Sequence, residues 1–183
     1  MKNCSDNSYV SRRYFVTIML GLLFLFGGMA HAQVPVLGTH AKFTFPSKWA
    51  FFKTQKIDAN TDMYLYYYKQ SIIVHKGDTA LPVLRIYVQK NYEGSLYDFV
   101  FDRYMQEPYQ SLTDYTEGIG LPKSGGMGFV GAYTNVRNKK DYQFRMVCFK
   151  EKKTVVEFRL ETTRDTYSEM EKEFVAILKS LTF

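Results

Sequence analysis

The chain has 183 residues, 46% of them hydrophobic and 17% aromatic, with a formal net charge of +6 and two cysteines. Two cysteines cannot build the disulfide framework that holds small secreted domains together, so the fold must rest on a hydrophobic core. The charge excess is too slight to demand a nucleic-acid partner and hints only at acidic surroundings.

The chain opens on a segment apart. Lys2, Arg12 and Arg13 precede an apolar run from Tyr14 to Met29, and Ala30-His31-Ala32 follows it. A basic start, a short apolar stretch and small residues before a cut are the three parts of a secretory signal peptide. A bilayer crossing needs about 20 apolar residues, and this run is shorter and interrupted by Gly21, Gly27 and Gly28. Residues 1–32 are therefore expected to be removed before Gln33. The protein is expected in the periplasm or outside the cell, with no stable membrane span after the cut. Ser11-Arg12-Arg13-Tyr14-Phe15 also looks like a twin-arginine export signal, but the following run is very apolar for that route, and ordinary secretion is expected. Cys4 leaves with the segment, so Cys148 stands alone. The remaining 151 of 183 residues, with a charge of about +4 once Lys2, Arg12, Arg13 and Asp6 are gone, are one domain's worth.

Residues 33–40 carry no period and read as a short leader. Lys42 to Phe45 alternates and reads as a strand stopped by Pro46, and Trp49 to Phe52 starts the next extended piece. Met63 to Lys69 places Met63, Leu65 and Tyr67 on one face and Tyr64, Tyr66 and Tyr68 on the other. The turn-rich stretch 75–82 leads into a strand from Val83 to Lys90, with Leu84, Ile86 and Val88 together. The period then changes. Ser95, three residues before Asp98, marks a helix start, and Leu96, Phe99, Val100 and Arg103 follow at helical spacing until Pro108. A short strand is expected near residues 112–116, then a loop. Strands over 127–136, 142–150 and 154–162, joined by tight turns, make an antiparallel meander. A last helix begins near Asp165 or Thr166, with Glu169 as capping partner and an apolar stripe of Tyr167, Met170, Phe174, Ile177, Leu178 and Leu181. Strands with helices between and after them argue an α+β fold, an antiparallel sheet covered by helices.

The opening FTFPSKW at 43–49, the strand-rich middle and the ending VEFRLETTRDTYSEMEKEFVAILKSLTF resemble the PsbP-like fold. That group includes the extrinsic PsbP proteins of photosystem II and the DcrB-type exported proteins of bacteria. The resemblance spans residues 41–183 as a single domain and rests on structural features, including a last helix that runs to Ser180 before an apolar end at Phe183. It implies an α-β-α sandwich with the C-terminal helix packed on the sheet. Members mostly bind or assist assembly without a shared catalytic set, so the resemblance transfers no functional residue.

The candidate chemistry is sparse. Gly126, Gly128 and Gly131 form G-x-G-x-x-G, but a dinucleotide site needs a helix directly after the glycines, and here a turn and another strand follow. They read as structural, where a strand bends or packs closely. His40 and His75 lie far apart without cysteines nearby, so no zinc spacing exists. Cys148 shares a strand face with Phe144 and Met146 and reads as a core residue. Glu157 and Glu161 beside Arg159 read as a solvated, ion-paired strand face. Two basic clusters, Arg137 to Lys140 and Lys150 to Lys153, fall on successive turns and so at opposite ends of the strands. Tyr64, Tyr66 and Tyr68 are the candidate binding residues, because three rings with polar tips on one face suit an interface; packing beneath a helix is the plainer alternative. The expectation is an exported, non-catalytic PsbP-like domain that binds another envelope protein, without cofactor, metal or nucleic acid. Its rival is a small-ligand binder or enzyme whose site assembles from residues distant in sequence.

Overall fold

A computed structural model describes residues 33–36, 38–70, 72–73, 79–107, 111–117 and 125–183. Residues 1–32, 37, 71, 74–78, 108–110 and 118–124, and with them the expected signal peptide, His75 and Pro108, lie outside the described residues. In chain order the strands are β1 (Gln33–Pro35), β2 (Lys42–Thr44), β3 (Trp49–Lys56), β4 (Thr61–Tyr68), β5 (Ile72–Ile73), β6 (Thr79–Ala80) and β7 (Val83–Gln89). Helix α1 (Leu96–Gln106) follows, then β8 (Ser111–Glu117), β9 (Met127–Thr134), β10 (Asp141–Glu151), β11 (Thr154–Thr163) and helix α2 (Tyr167–Lys179).

Seven strands form one antiparallel sheet in the order β3-β4-β7-β11-β10-β9-β8, and β1-β2 and β5-β6 are separate pairs. The meander of β9, β10 and β11 is as the alternation indicated. Its continuation to β7 is a long-range pairing, with Phe158 opposite Ile86. Strand alternation sends neighbouring side chains to opposite faces, and each face has its own core. On one, Leu84, Ile86, Val147, Phe149, Phe158 and Leu160 pack with Met170, Phe174, Ile177 and Leu178 of α2. On the other, Phe144, Met146, Cys148 and Val155 meet Phe99 and Val100 of α1. The fold is α+β, with the sheet between two helices.

Helix α1 starts as its sequence dictates. The backbone N–H of Asp98 donates to Ser95 Oγ at 3.1 Å, and the Ser95 N–H donates to Asp98 Oδ2 at 3.0 Å, a reciprocal cap. Helix α2 does not. Thr166 is already helical, at φ −100° and ψ −4°, and makes no side-chain cap. A 3₁₀ turn over Arg164–Thr166 winds the chain into the helix instead, and the Thr166 hydroxyl donates to the Thr163 carbonyl. The expected pairing with Glu169 is thus replaced by a threonine cluster at the end of β11.

Residues 33–36, read as a leader, contribute structure. Gln33 to Pro35 pairs with Thr44 to Lys42, and Val36 is buried. Three residues are too few for a period to show. Beyond α2, the Thr44 N–H donates to Ser180 Oγ at 2.8 Å, and Lys42 and Thr182 exchange backbone hydrogen bonds of 2.9 Å. Gly128 sits in β9, where an added Cβ would run into the Met146 carbonyl oxygen of β10. Only glycine fits that approach.

Candidate functional site

On β11 the alternation points Val156, Phe158 and Leu160 toward α2 and sends Glu157 and Arg159 to the opposite face. There the structure corrects the reading of a solvated surface. Helix α1 covers this face of the sheet over β9 and β10, and Glu157 is 2% exposed. Arg103 and Glu107, one helical turn apart, point back down onto β11. Arg103 Nε lies 3.4 Å from Glu157 Oε2, and Arg159 pairs with Glu107. The alternation of charge continues sideways, from Arg159 to Glu161 at 3.8 Å and from Glu161 to Arg85 of β7 at 3.3 Å. Aromatic rings support the cations: the Arg159 guanidinium lies 4.6 Å from the Phe144 ring centre and that of Arg103 5.2 Å from Phe99.

Burial sets the electrostatics. It pushes the Glu157 carboxyl up to about 7, although Arg103 beside it pulls the other way. Burial also raises the Tyr87 phenol next to the cluster. Glu157 Oε2 and Arg103 Nε are both buried, and neither has a hydrogen-bond partner among the described residues. They flank a chamber of about 400 Å³ between α1, β7, β11 and the β3–β4 turn. Its walls carry Asp58, Asp102, Tyr87, Tyr92 and Gln106 besides the two ion pairs. Asp58 is held below the usual carboxylate range by N–H donation from Asn60 and hydrogen bonding with Thr61. The signal in the sequence was faint: an Arg and a Glu four apart on a helix, and a Glu and an Arg two apart on a strand. Only the topology brings them face to face.

The tyrosines divide. Tyr68 is 3% exposed with Trp49 edge-on at 5.4 Å, and Tyr66 is 7% exposed with Phe45 stacked at 4.2 Å. Both belong to the core that Met170, Phe174, Ile177 and Leu178 of α2 also join. Tyr64 and Tyr66, without Tyr68, line an apolar cavity of about 260 Å³ beneath the β1-β2 pair, with Val34, Phe43 and Phe51. Burial lifts the Tyr66 phenol to about 12.

The remaining candidates are structural. Gly126, Gly128 and Gly131 lead through β9 into a turn and β10, with no helix to receive a pyrophosphate. Cys148 is fully buried, and burial raises its thiol well above the usual range, which keeps it from acting as a thiolate. His40 pairs with Glu151. The basic clusters sit on turns at opposite ends of β10, where Lys153 pairs with Glu93 at 2.7 Å. Among the described residues no three His, Cys, Asp or Glu side chains converge on a metal position, and no helix is long and apolar enough to cross a membrane.

No family model and no curated protein matches the chain. Solved structures do. LpqN, described as involved in cell envelope biogenesis of Mycobacterium tuberculosis, is similar with a TM-score of 0.55 and 13% identity, over 82% of this chain and 90% of LpqN. A protein of Bacteroides thetaiotaomicron is similar with a TM-score of 0.51 and 12% identity, over 84% of this chain and 48% of its own. At such identities the likeness is one of fold.

Proposed function

We propose that the chain is an exported, non-catalytic PsbP-like domain of the cell envelope that works by binding, and that a small polar ligand occupies the chamber beneath α1. The observation that carries this reading is Glu157, a carboxyl buried against Arg103 with an oxygen that lacks a hydrogen-bond partner, at the wall of a cavity of ligand size. An ion pair kept only for stability would be better closed, because a buried charge with unmet hydrogen bonds is costly. The envelope setting is supported by the fold likeness to LpqN and by the secretory character of residues 1–32. Native mass spectrometry of the protein purified from its own cells tests the reading. A bound small molecule is expected, and Arg103→Gln should release it. If nothing co-purifies and no small-molecule envelope extract raises the melting temperature, the reading falls.

An acid–base enzyme competes with this proposal, since Glu157 is poised near neutral pH; turnover of the co-purified molecule would favour it. The other envelope protein expected from the sequence has a separate surface in its favour. Strand β3 is at the edge of the sheet, with Phe51 55% and Phe52 61% exposed, and open strand edges accept partners by pairing. A protein captured from the envelope by the intact chain and lost on Phe52→Ser would support that surface.

A further inference from the structure

Resting on the chamber reading, we infer that its ligand is a neutral polyhydroxylated molecule, a sugar or sugar-like polyol, held by a hydroxyl that bridges Glu157 and Arg103. The two atoms specify the group: they face each other as an ion pair, yet neither makes a well-aligned hydrogen bond. Glu157 Oε2 requires a donor and Arg103 Nε requires an acceptor, and they stand 3.4 Å apart. A hydroxyl placed across the pair serves both, since its O–H donates while its oxygen accepts. An ammonium can only donate and leaves Arg103 unmet. A carboxylate or phosphate can only accept and meets Glu157.

The surrounding charge agrees. The walls carry four carboxylates, Asp58, Asp102, Glu107 and Glu157, against two guanidiniums, Arg103 and Arg159. That excess repels anions. A cation reaching the inner end meets both arginines. The rings of Tyr87, Tyr92 and Phe99 on the same walls offer apolar faces for the C–H side of a sugar ring. Entry is possible because the Arg103 side chain is 32% exposed, so its head can turn aside and admit a hydroxyl to the gap.

Saturation-transfer NMR on the protein purified from its own cells, then calorimetry, tests this with three probe classes at millimolar concentration: glucose and N-acetylglucosamine, the cation spermidine, and the anion citrate. A neutral sugar is expected to bind and the charged probes to stay silent. Arg103→Gln and Glu157→Gln should each weaken the sugar about tenfold, the effect of one hydrogen bond to a charged group. Near-UV circular dichroism checks that both variants are folded, and a folded variant of either kind suffices. Binding of spermidine or citrate with the sugars silent overturns the polyol inference while leaving a ligand chamber. Silence of all three classes overturns the polyol inference, while the chamber reading stands or falls on native mass spectrometry and the envelope extract. Sugar binding that neither variant weakens overturns the assignment to Glu157 and Arg103.

Discussion

Glu157 is the residue whose environment makes the sharpest demand on experiment. Its folded-state pKa is raised to about 7 from 4.5, so between those values the folded protein holds a proton that the unfolded chain has released. The contribution of Glu157 to stability is therefore full below about pH 4.5, declines as pH rises toward 7, and is gone above it. The loss across that window is on the order of 3 kcal/mol. Chemical denaturation at pH 5 and pH 8 should show the wild type less stable at pH 8, and Glu157→Gln should flatten the difference. The carboxylates Asp58, Glu93, Asp98 and Glu151 are shifted downward, so their contributions are full above the ordinary carboxylate values and are lost as pH falls below them, outside this window. A second prediction concerns Gly128. Gly128→Ala forces a Cβ against a backbone oxygen that cannot retreat without breaking the β9–β10 pairing. Its melting temperature should fall by several degrees, as an overpacked core site does. Alternation in the sequence told which way Glu157 points. It could not tell that a helix from another stretch would lie over it.

At the scale of elements, α2 was the most legible feature and is also the most testable. All six stripe residues are buried, with Met170, Phe174, Ile177 and Leu178 fully so. Burying one large apolar side chain is worth about 1.5–3 kcal/mol against a net stability of about 5–15 kcal/mol for a whole domain. Truncation at Thr163 should give an insoluble or molten product, and Phe174→Ala should cost about 3–5 kcal/mol in denaturant titration. Glu173, whose partner is the exposed Lys48 at 2.9 Å, should tolerate alanine with little change. For α1, Ser95→Ala removes the reciprocal cap and should cost about 1 kcal/mol. The two helix starts show what a motif can and cannot say. Ser95 and Asp98 are exposed and bond each other, so the local rule holds. Thr166 has the hydroxyls of Thr162 and Thr163 within 2.6 and 3.1 Å, and that tertiary company overrides the same rule.

For the whole molecule, strand order was the unreadable part. Each strand announced itself by its period, but the meeting of β7 with β11 joins residues some seventy positions apart and leaves no mark in either segment. The order has a measurable effect. Strand β11 is fourth of seven, bonded on both sides, whereas β3 and β8 are edges. Amide exchange should be slowest over 154–163 and fastest in the outer strands, and uniform protection would contradict this arrangement.

The seam between β2 and the last residues has a consequence for timing. Lys42 and Thr44 are held by Thr182 and Ser180, and Phe43 rests edge-on against Phe158 at 5.6 Å. A chain synthesised or threaded through a channel from its N-terminus offers β2 first and its fasteners last. The early strands must wait, unsealed, until Ser180 and Thr182 have emerged, so the core cannot close before those residues reach β2.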